Sequence, residues 1–449
     1  MKLEIKKDVN YSASYVTIKN VIPIEGKDRI QHTTIFGNYV IVGKDVKVGD
    51  KGIFFPVECR IAEVFLKSNN LYRHKEKNND ETKTGFFEDT GRVRCIKLGG
   101  ARSEGFFVPL SMLSCYNVSE VDFEKVEENT NFDTVDGIEL CRKYRIVHQH
   151  NSSGNKNTKK SKIKISKLLP NQFRLHIDTE QLARNIHKIK EDQHITISQK
   201  IHGSSFIVSN VLCKRKLSLI DLLLLKLGIK IQTTEYDNVY SSRKVVKNPD
   251  INKNANHYYS EDIWGVVNKE LEQYLDNGLT LYGEVVGYLS DGGWIQKGYD
   301  YGCKEREHKN FIYRITYTSA SGNVYEFSLP QVKMWCERNN LNCVPILYQG
   351  TVKDLYDNLA YKYEAKYSCF DKDLFLKLLY SEYLDKECKE EFVPVGCIHD
   401  VPDEGIVLRI EDSLDIEVMK YKSPKFLRKE TEDLDKGETN IEDNQDVLL

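Results

Sequence analysis

Five short segments carry residues whose types and spacing could move a phosphoryl group. Lys200-Ile201-His202-Gly203-Ser204-Ser205 stands between two β-branched runs, residues 195–198 and 206–208. A lysine at a strand end, followed by a glycine turn, can present its amine to a bound phosphate. Ser241-Ser242-Arg243 comes next, then Tyr282-Gly283-Glu284-Val285-Val286-Gly287, a carboxylate inside an otherwise apolar strand. Burying a Glu is costly unless it is paired or hydrogen-bonded, which favours a site over a core filler. Glu404-Gly405-Ile406-Val407-Leu408-Arg409 offers a second carboxylate at a strand entrance, and in Val418-Met419-Lys420-Tyr421-Lys422 alternation gives both lysines one face. Singly, each reads as an ordinary turn or half-exposed strand. Their order within one chain carries the weight.

The chemistry these residues suit is attack by an amine on phosphorus. A free lysine has a pKa of about 10.4 and is almost wholly protonated near neutrality. Neighbouring cations and a bound metal ion can lower that value and recover roughly 3–4 kcal/mol of reactivity. Lys420 and Lys422 would do this while offsetting charge that builds on the phosphate.

The series K-x-H-G, S-R, G-E-x-x-G, E-G-x-V and K-x-K resembles the covalent nucleotidyltransferase superfamily of ligases and capping enzymes. Within it the chain is most similar to ATP-dependent RNA ligases of the type-2 and Deinococcus types, over roughly residues 175 to 430 for the catalytic part. The resemblance implies that Lys200 is the nucleophile forming a phosphoramidate with AMP, and that His202 assists the nucleic-acid-dependent steps. It assigns Gly203, Arg243, Glu284, Tyr313, Lys420 and Lys422 to ATP binding, with Glu284 and Arg243 at the ribose and the two lysines at the α-phosphate. Tyr313 would stack on adenine, with Phe311 a close alternative. Glu404 would help hold a metal, Mg²⁺ or Mn²⁺, since carboxylates suit hard cations. Three positions depart from the family pattern: Gln199 where Glu is usual, Ser205 where the type-2 enzymes have Asn, and Arg314 where Asp is common.

The elements that must position these residues divide the chain. Turn-bounded runs such as residues 15–18, 39–42, 52–56, 92–98 and 105–109 read as short strands of a small barrel, and residues 66 to 83 as a polar loop. The expected fold class is α+β: an amino-terminal OB-like β-barrel, then an ATP-grasp-like adenylyltransferase domain of antiparallel sheets with flanking helices. The expected domains are residues 1–148 for the barrel, 149–165 for a Lys/Asn/Ser linker, 166–430 for the ligase domain and 431–449 for an acidic, disordered tail. Residues 181–190 read as helical, and the pattern between residues 329 and 384 turns mostly helical.

Bulk composition agrees with a globular protein that handles a phosphate-rich partner. Of 449 residues 29% are charged, the mean hydropathy is -0.50, and the formal net charge is -2. Eight acidic residues and one Lys lie between Glu430 and Leu449, so the remainder is net basic. Eleven scattered cysteines without C-x-x-C pairs suit a cytoplasmic or other reducing compartment, neither secreted nor membrane. The apolar run from residue 217 to 231 is shorter than the ~20 residues a span requires and reads as a buried or partner-facing helix. The partner expected from the resemblance is RNA, or an RNA-containing nicked duplex, with no membrane and no obligate protein partner. The function implied is sealing of 3′-hydroxyl and 5′-phosphate ends. The competing readings are a DNA ligase or mRNA capping-type transferase, and a non-catalytic nucleic-acid-binding protein.

Overall fold

The computed structural model describes residues 1–6, 9–98, 100–146, 167–247, 259–412 and 416–438. The expected linker, with all but one of the lysines between residues 156 and 167, lies outside the described residues, as do residues 439–449 of the acidic segment. The architecture is α+β, built on antiparallel sheets.

Two sheets, both lining one cavity, make up most of the chain after residue 167. One runs in the order Thr234–Ser242, Ser204–Lys214, Leu279–Gly287, His308–Thr318 and Val324–Glu326, with Asn342–Cys343 added parallel to His308–Thr318. The other has the order Glu180–Gln181, Glu417–Lys422, Gly405–Ile410, His194–Gln199 and Ile346–Thr351. Helix Ile263–Leu271 backs the first sheet through Ile263, Trp264, Val267 and Leu271. Helices Val352–Lys362 and Lys372–Tyr383 back the second through Leu355, Leu359, Phe375 and Leu379. Each sheet therefore buries its outer face against helices. The inner faces are left to line a cleft.

Local sequence explains the strands that matter. In Glu417–Lys422, Met419 and Tyr421 enter the core at 1% and 7% exposure, which turns Lys420 and Lys422 toward the cleft. The expected helical region from residue 329 holds helix Leu329–Arg338 before the two backing helices, with the strand Ile346–Thr351 among them. The segment 181–190 folds as a single helical turn, Leu182–Asn185, followed by a 3₁₀ turn, Ile186–Lys188.

The amino-terminal strands form where expected, at Ala13–Thr17, Asn38–Gly43, Lys51–Pro56 and Gly105–Pro109. Their pairing runs along open paths, and among the described residues no closed ring is traced. The physical reason is visible in Lys51–Pro56, which is buried on both faces. Ile53 and Phe55 belong to one apolar cluster and Phe54 to another. Residues 92–98 yield the short strand Ile96–Leu98, with Arg92 joined to Arg60 through an isolated antiparallel bridge. The stretch 66–83 is a loop opened by helix Glu63–Ser68 and knotted by Asn78, whose amide oxygen accepts from Tyr72 N.

Buried arginines join the two parts. Arg184 donates to the carbonyl of Ser12 at 3.0 Å and to Ser14 Oγ at 2.7 Å. Arg92 pairs with Glu58 at 2.7 Å and reaches Asp435 and the carbonyl of Thr431. Both of the latter lie on helix Pro424–Asp435, where the sequence reading placed the start of a disordered tail. That helix was announced by Ser423, whose hydroxyl caps it, and by Pro424 in its first turn. Among the described residues no helix is long and apolar enough to cross a membrane.

Candidate active site

Lys200 sits in the connection by which the chain leaves one sheet and enters the other. Its N–H donates to Gly405 O at 2.9 Å, continuing the ladder of His194–Gln199 for one more residue. Its ammonium lies 2.9 Å from Glu404 Oε2. His202 follows, with Nδ1 3.4 Å from the same oxygen and its ring edge-on between Tyr299 and Phe426. Gly203 is required by packing, since a Cβ there would stand 2.5 Å from the carbonyl of Val285. Glycine lets this turn lie against strand Leu279–Gly287.

Glu404 is the electrostatic centre. It is 3% exposed. Burial alone would raise its carboxyl, but Lys200, His202 and Lys422 together hold it well below the usual carboxylate range. Lys422 Nζ is 3.7 Å from Glu404 Oε1 and 2.8 Å from Glu430 Oε1. These carboxylates overcome its burial and raise its ammonium well above the ordinary lysine value. Lys420 shows the opposite balance. Burial, then the charges of Lys422, Lys200 and Arg243, push it down to about 7.

The other side of the cleft carries Glu284, Arg243 and Tyr313. Ser205 Oγ donates to Glu284 Oε1 at 2.7 Å, from the residue directly opposite on the neighbouring strand. The half-buried carboxylate is thus held within the sheet. Arg243 forms an ion pair with Asp178. Burial works to raise the Asp178 carboxyl, but Arg243, Lys244 and Lys420 bring it down to about 2. Tyr313 meets His176 Nδ1 through its hydroxyl at 3.2 Å, and its carbonyl accepts from Arg409 at 3.1 Å.

A single cavity of about 1070 Å³ brings Lys200, His202, Gly203, Arg243, Glu284, Tyr313, Glu404, Lys420 and Lys422 together. All nine residues singled out from the sequence line it. Phe311 does not; it is 5% exposed in the core beside Tyr301. Gln199 also lines the cavity, while its side-chain amide donates to Val395 O at 2.8 Å and Asp403 Oδ1 at 3.1 Å and accepts from Val395 N. Burial, with Glu404 adding to it, pushes the Asp403 carboxyl up to about 7. Arg314 is held by Glu326 at 2.6 Å. The sequence reading missed Asp178 and Glu430, each defined by its contact with a cation. The one local signal near Glu430 is the helix start at Ser423-Pro424, which marks the helix without singling out that residue.

The arrangement sets an amine beside a carboxylate and two further lysines, opposite an aromatic wall and a second carboxylate. It can hold a nucleotide with the innermost phosphate near Lys200. Among the described residues no group of three His, Cys, Asp or Glu could hold a metal ion by itself. Glu404 fits a cation that keeps most of its ligands from water and phosphate, as Mg²⁺ does.

A family model described as RNA ligase matches residues 193–422. Among solved structures, Naegleria gruberi RNA ligase matches in a lysine mutant with AMP and Mn, at 17% identity and a TM-score of 0.55 over 93% of this chain and 98% of that one. The same ligase matches with ATP and Mn in another lysine mutant, at 17% identity and 0.55 over 93% and 98%. With PPi it matches at 17% identity and 0.55 over 94% and 100%. At this identity the likeness is one of fold. No curated protein matches.

Proposed function

This chain belongs to the RNA ligase family, and from that premise we propose that it seals 3′-hydroxyl and 5′-phosphate ends of RNA with ATP through a covalent lysyl-AMP intermediate. The observation that carries the reading is Glu404, which pairs with the ammonium groups of both Lys200 and Lys422, with Lys420 lining the same cavity.

In the first step Lys200 Nζ, once it has lost its proton and left Glu404, attacks the α-phosphorus of ATP. The N–P bond forms, the bridging P–O bond breaks, and pyrophosphate leaves. An oxygen of the 5′-phosphate end then attacks the same phosphorus, and the P–N bond breaks to free Lys200. Finally the 3′-hydroxyl attacks the end phosphate and AMP departs. Lys420 and Lys422 offset charge on the α-phosphate throughout. Glu284 and Arg243 hold the ribose, Tyr313 stacks on adenine, and His202 serves the last two steps. A divalent cation at Glu404, of the kind named with the Naegleria ligase, would neutralise phosphate oxygens.

The β-rich amino-terminal part, which contributes Tyr11, Glu58, Lys143 and Tyr144 to the cavity wall, is read as the OB-type module of a Deinococcus-type ligase that holds the RNA strand near the nick. Residues 1–148 and 166–430 are the two functional units on this reading.

Incubation with α-labelled ATP and Mg²⁺ or Mn²⁺ tests the proposal. Wild type is expected to retain label through denaturation, and Lys200→Ala to retain none. An unlabelled wild type, or full label on Lys200→Ala, would overturn it. Label from GTP in place of ATP would point to capping chemistry, and sealing of an all-DNA nick would point to a DNA ligase.

A further inference from the structure

The chain's longest apolar run folds into a helix that nothing among the described residues covers. Helix Leu219–Lys226 stands between strands Ser204–Lys214 and Thr234–Ser242, at the far end of their hairpin from Arg243, and none of its residues is buried. Leu219 is 86% exposed, Ile220 70%, Leu223 58% and, just beyond the helix, Leu227 67%. The sequence expectation of a buried or partner-facing helix therefore fails in its first half.

The distribution of these residues restricts what can cover them. At roughly 100° per residue, Leu219, Ile220, Leu222, Leu223 and Leu225 spread over about 220° of the helix, and only the arc holding Asp221 and Leu224 is half-buried. A protein groove takes up one stripe of a helix and would leave the rest wet. An apolar medium into which the tip sinks covers the whole of that wide arc at once. Charge restricts the choice further. Lys214, Arg215 and Lys216 precede the helix, and Lys226 and Lys230 close it. Against them stand Glu235 at the hairpin base and Asp221, which caps the helix through Ser218 and pairs with Arg215 at 2.9 Å. A second copy of the chain would set like charges against these lysines. Anionic headgroups would neutralise them.

We propose that this helix docks on an anionic lipid surface, its leucines sunk into the interface and its flanking lysines on the headgroups. Eight residues rise only about 12 Å, so the contact is with one leaflet. It is a different mode from the spanning helix whose absence led the sequence reading to expect no membrane contact.

The test is flotation of the full chain with vesicles of phosphatidylcholine alone and with a phosphatidylserine fraction. Wild type is expected to float with the anionic vesicles and hardly at all with the neutral ones. Leu219→Ser/Leu222→Ser/Leu223→Ser should abolish flotation without changing the thermal midpoint, since these side chains are exposed. Lys214→Gln/Lys216→Gln should weaken binding about tenfold or more. Failure of wild type to float, or undiminished flotation of the serine variant, would overturn the proposal. So would a wild-type dimer that the serine variant converts to monomer with no vesicle binding by either, which would assign the face to a second copy.

Discussion

Glu430 Oε1 stands 2.8 Å from the ammonium of Lys422, which ties helix Pro424–Asp435 to the cavity-lining strand Glu417–Lys422. On the proposed function, a phosphate oxygen and Glu430 are rivals for the same lysine. Replacing the carboxylate by an amide of equal shape should therefore strengthen nucleotide binding. For Glu430→Gln the expected KM for ATP in protein labelling falls roughly three- to tenfold, the equivalent of about 1 kcal/mol for a partly buried pair. An unchanged or raised KM would mean that Glu430 aligns Lys422 instead of competing for it.

Lys420 gives a prediction in protons. Its value of about 7 results from burial first and the surrounding cations second. A phosphate placed beside it favours the charged form and raises that value. About one unit above pH 7 the empty site holds Lys420 mostly neutral and the occupied site mostly protonated, so binding takes up close to one proton. ATP affinity should accordingly fall as pH rises through this window. Titration calorimetry in buffers of different ionisation enthalpy should reveal the uptake for wild type and not for Lys420→Met. Equal uptake by both proteins would assign the proton elsewhere, Asp403 being the first candidate.

Features governed by local periodicity were legible in the sequence. Lys420 and Lys422 share a face because Met419 and Tyr421 are the residues that can enter the core, and Glu284 stood out because a carboxylate interrupts an apolar strand. What depended on distant partners was not legible. Asp178 gains its meaning from Arg243, 65 residues away, and no pattern around it announces that. The amino-terminal strands were readable one by one, yet the two-sided burial of Lys51–Pro56 depends on which elements pack above and below it. Hydrophobicity marked residues 217–231 as averse to water without saying what would cover them.

The contact between Arg92 and Glu58 yields a stability prediction. Arg92 is 3% and Glu58 8% exposed at the side chain, and the two meet through two hydrogen bonds of 2.7 Å. Thr431 Oγ1 adds a third to Glu58 at 2.9 Å. Removing the cation alone strands a buried carboxylate, so Arg92→Met should cost about 3–5 kcal/mol and release helix Pro424–Asp435 to faster hydrogen exchange. Burial raises the Glu58 carboxyl above its ordinary value even with Arg92 opposing. In the variant that rise should grow. Above the unfolded-state value the folded form then binds more protons than the unfolded, and stability falls as pH rises through the window between the two. Arg92→Met should thus melt higher in mild acid than in mild alkali, and Arg92→Met/Glu58→Gln should recover part of the loss. A double variant as unstable as the single one would show that lost packing, not the stranded charge, is the cause.

Tyr313 and Phe311 remained alternatives in the sequence because simple alternation puts both on one face of their strand. The pairing of Leu279–Gly287 with His308–Thr318 breaks that equivalence. Tyr282 opposes Arg314 and Gly283 opposes Ile312, so Tyr313 is an extra residue bulged out of the ladder. A bulge re-aims a side chain, and here the ring lines the cavity while Phe311 stays in the core. The two residues should therefore fail in different ways. Tyr313→Ala should raise the KM for ATP roughly ten- to a hundredfold, as loss of a base-stacking ring does, with little change in thermal midpoint, and Tyr313→Phe should restore most of the affinity. Phe311→Ala should lose about 3–5 kcal/mol of stability and leave the KM of the folded protein near wild type. If Phe311→Ala raises the KM and Tyr313→Ala leaves it unchanged, the adenine lies against the other face of this strand and the nucleotide must be turned over in the cavity.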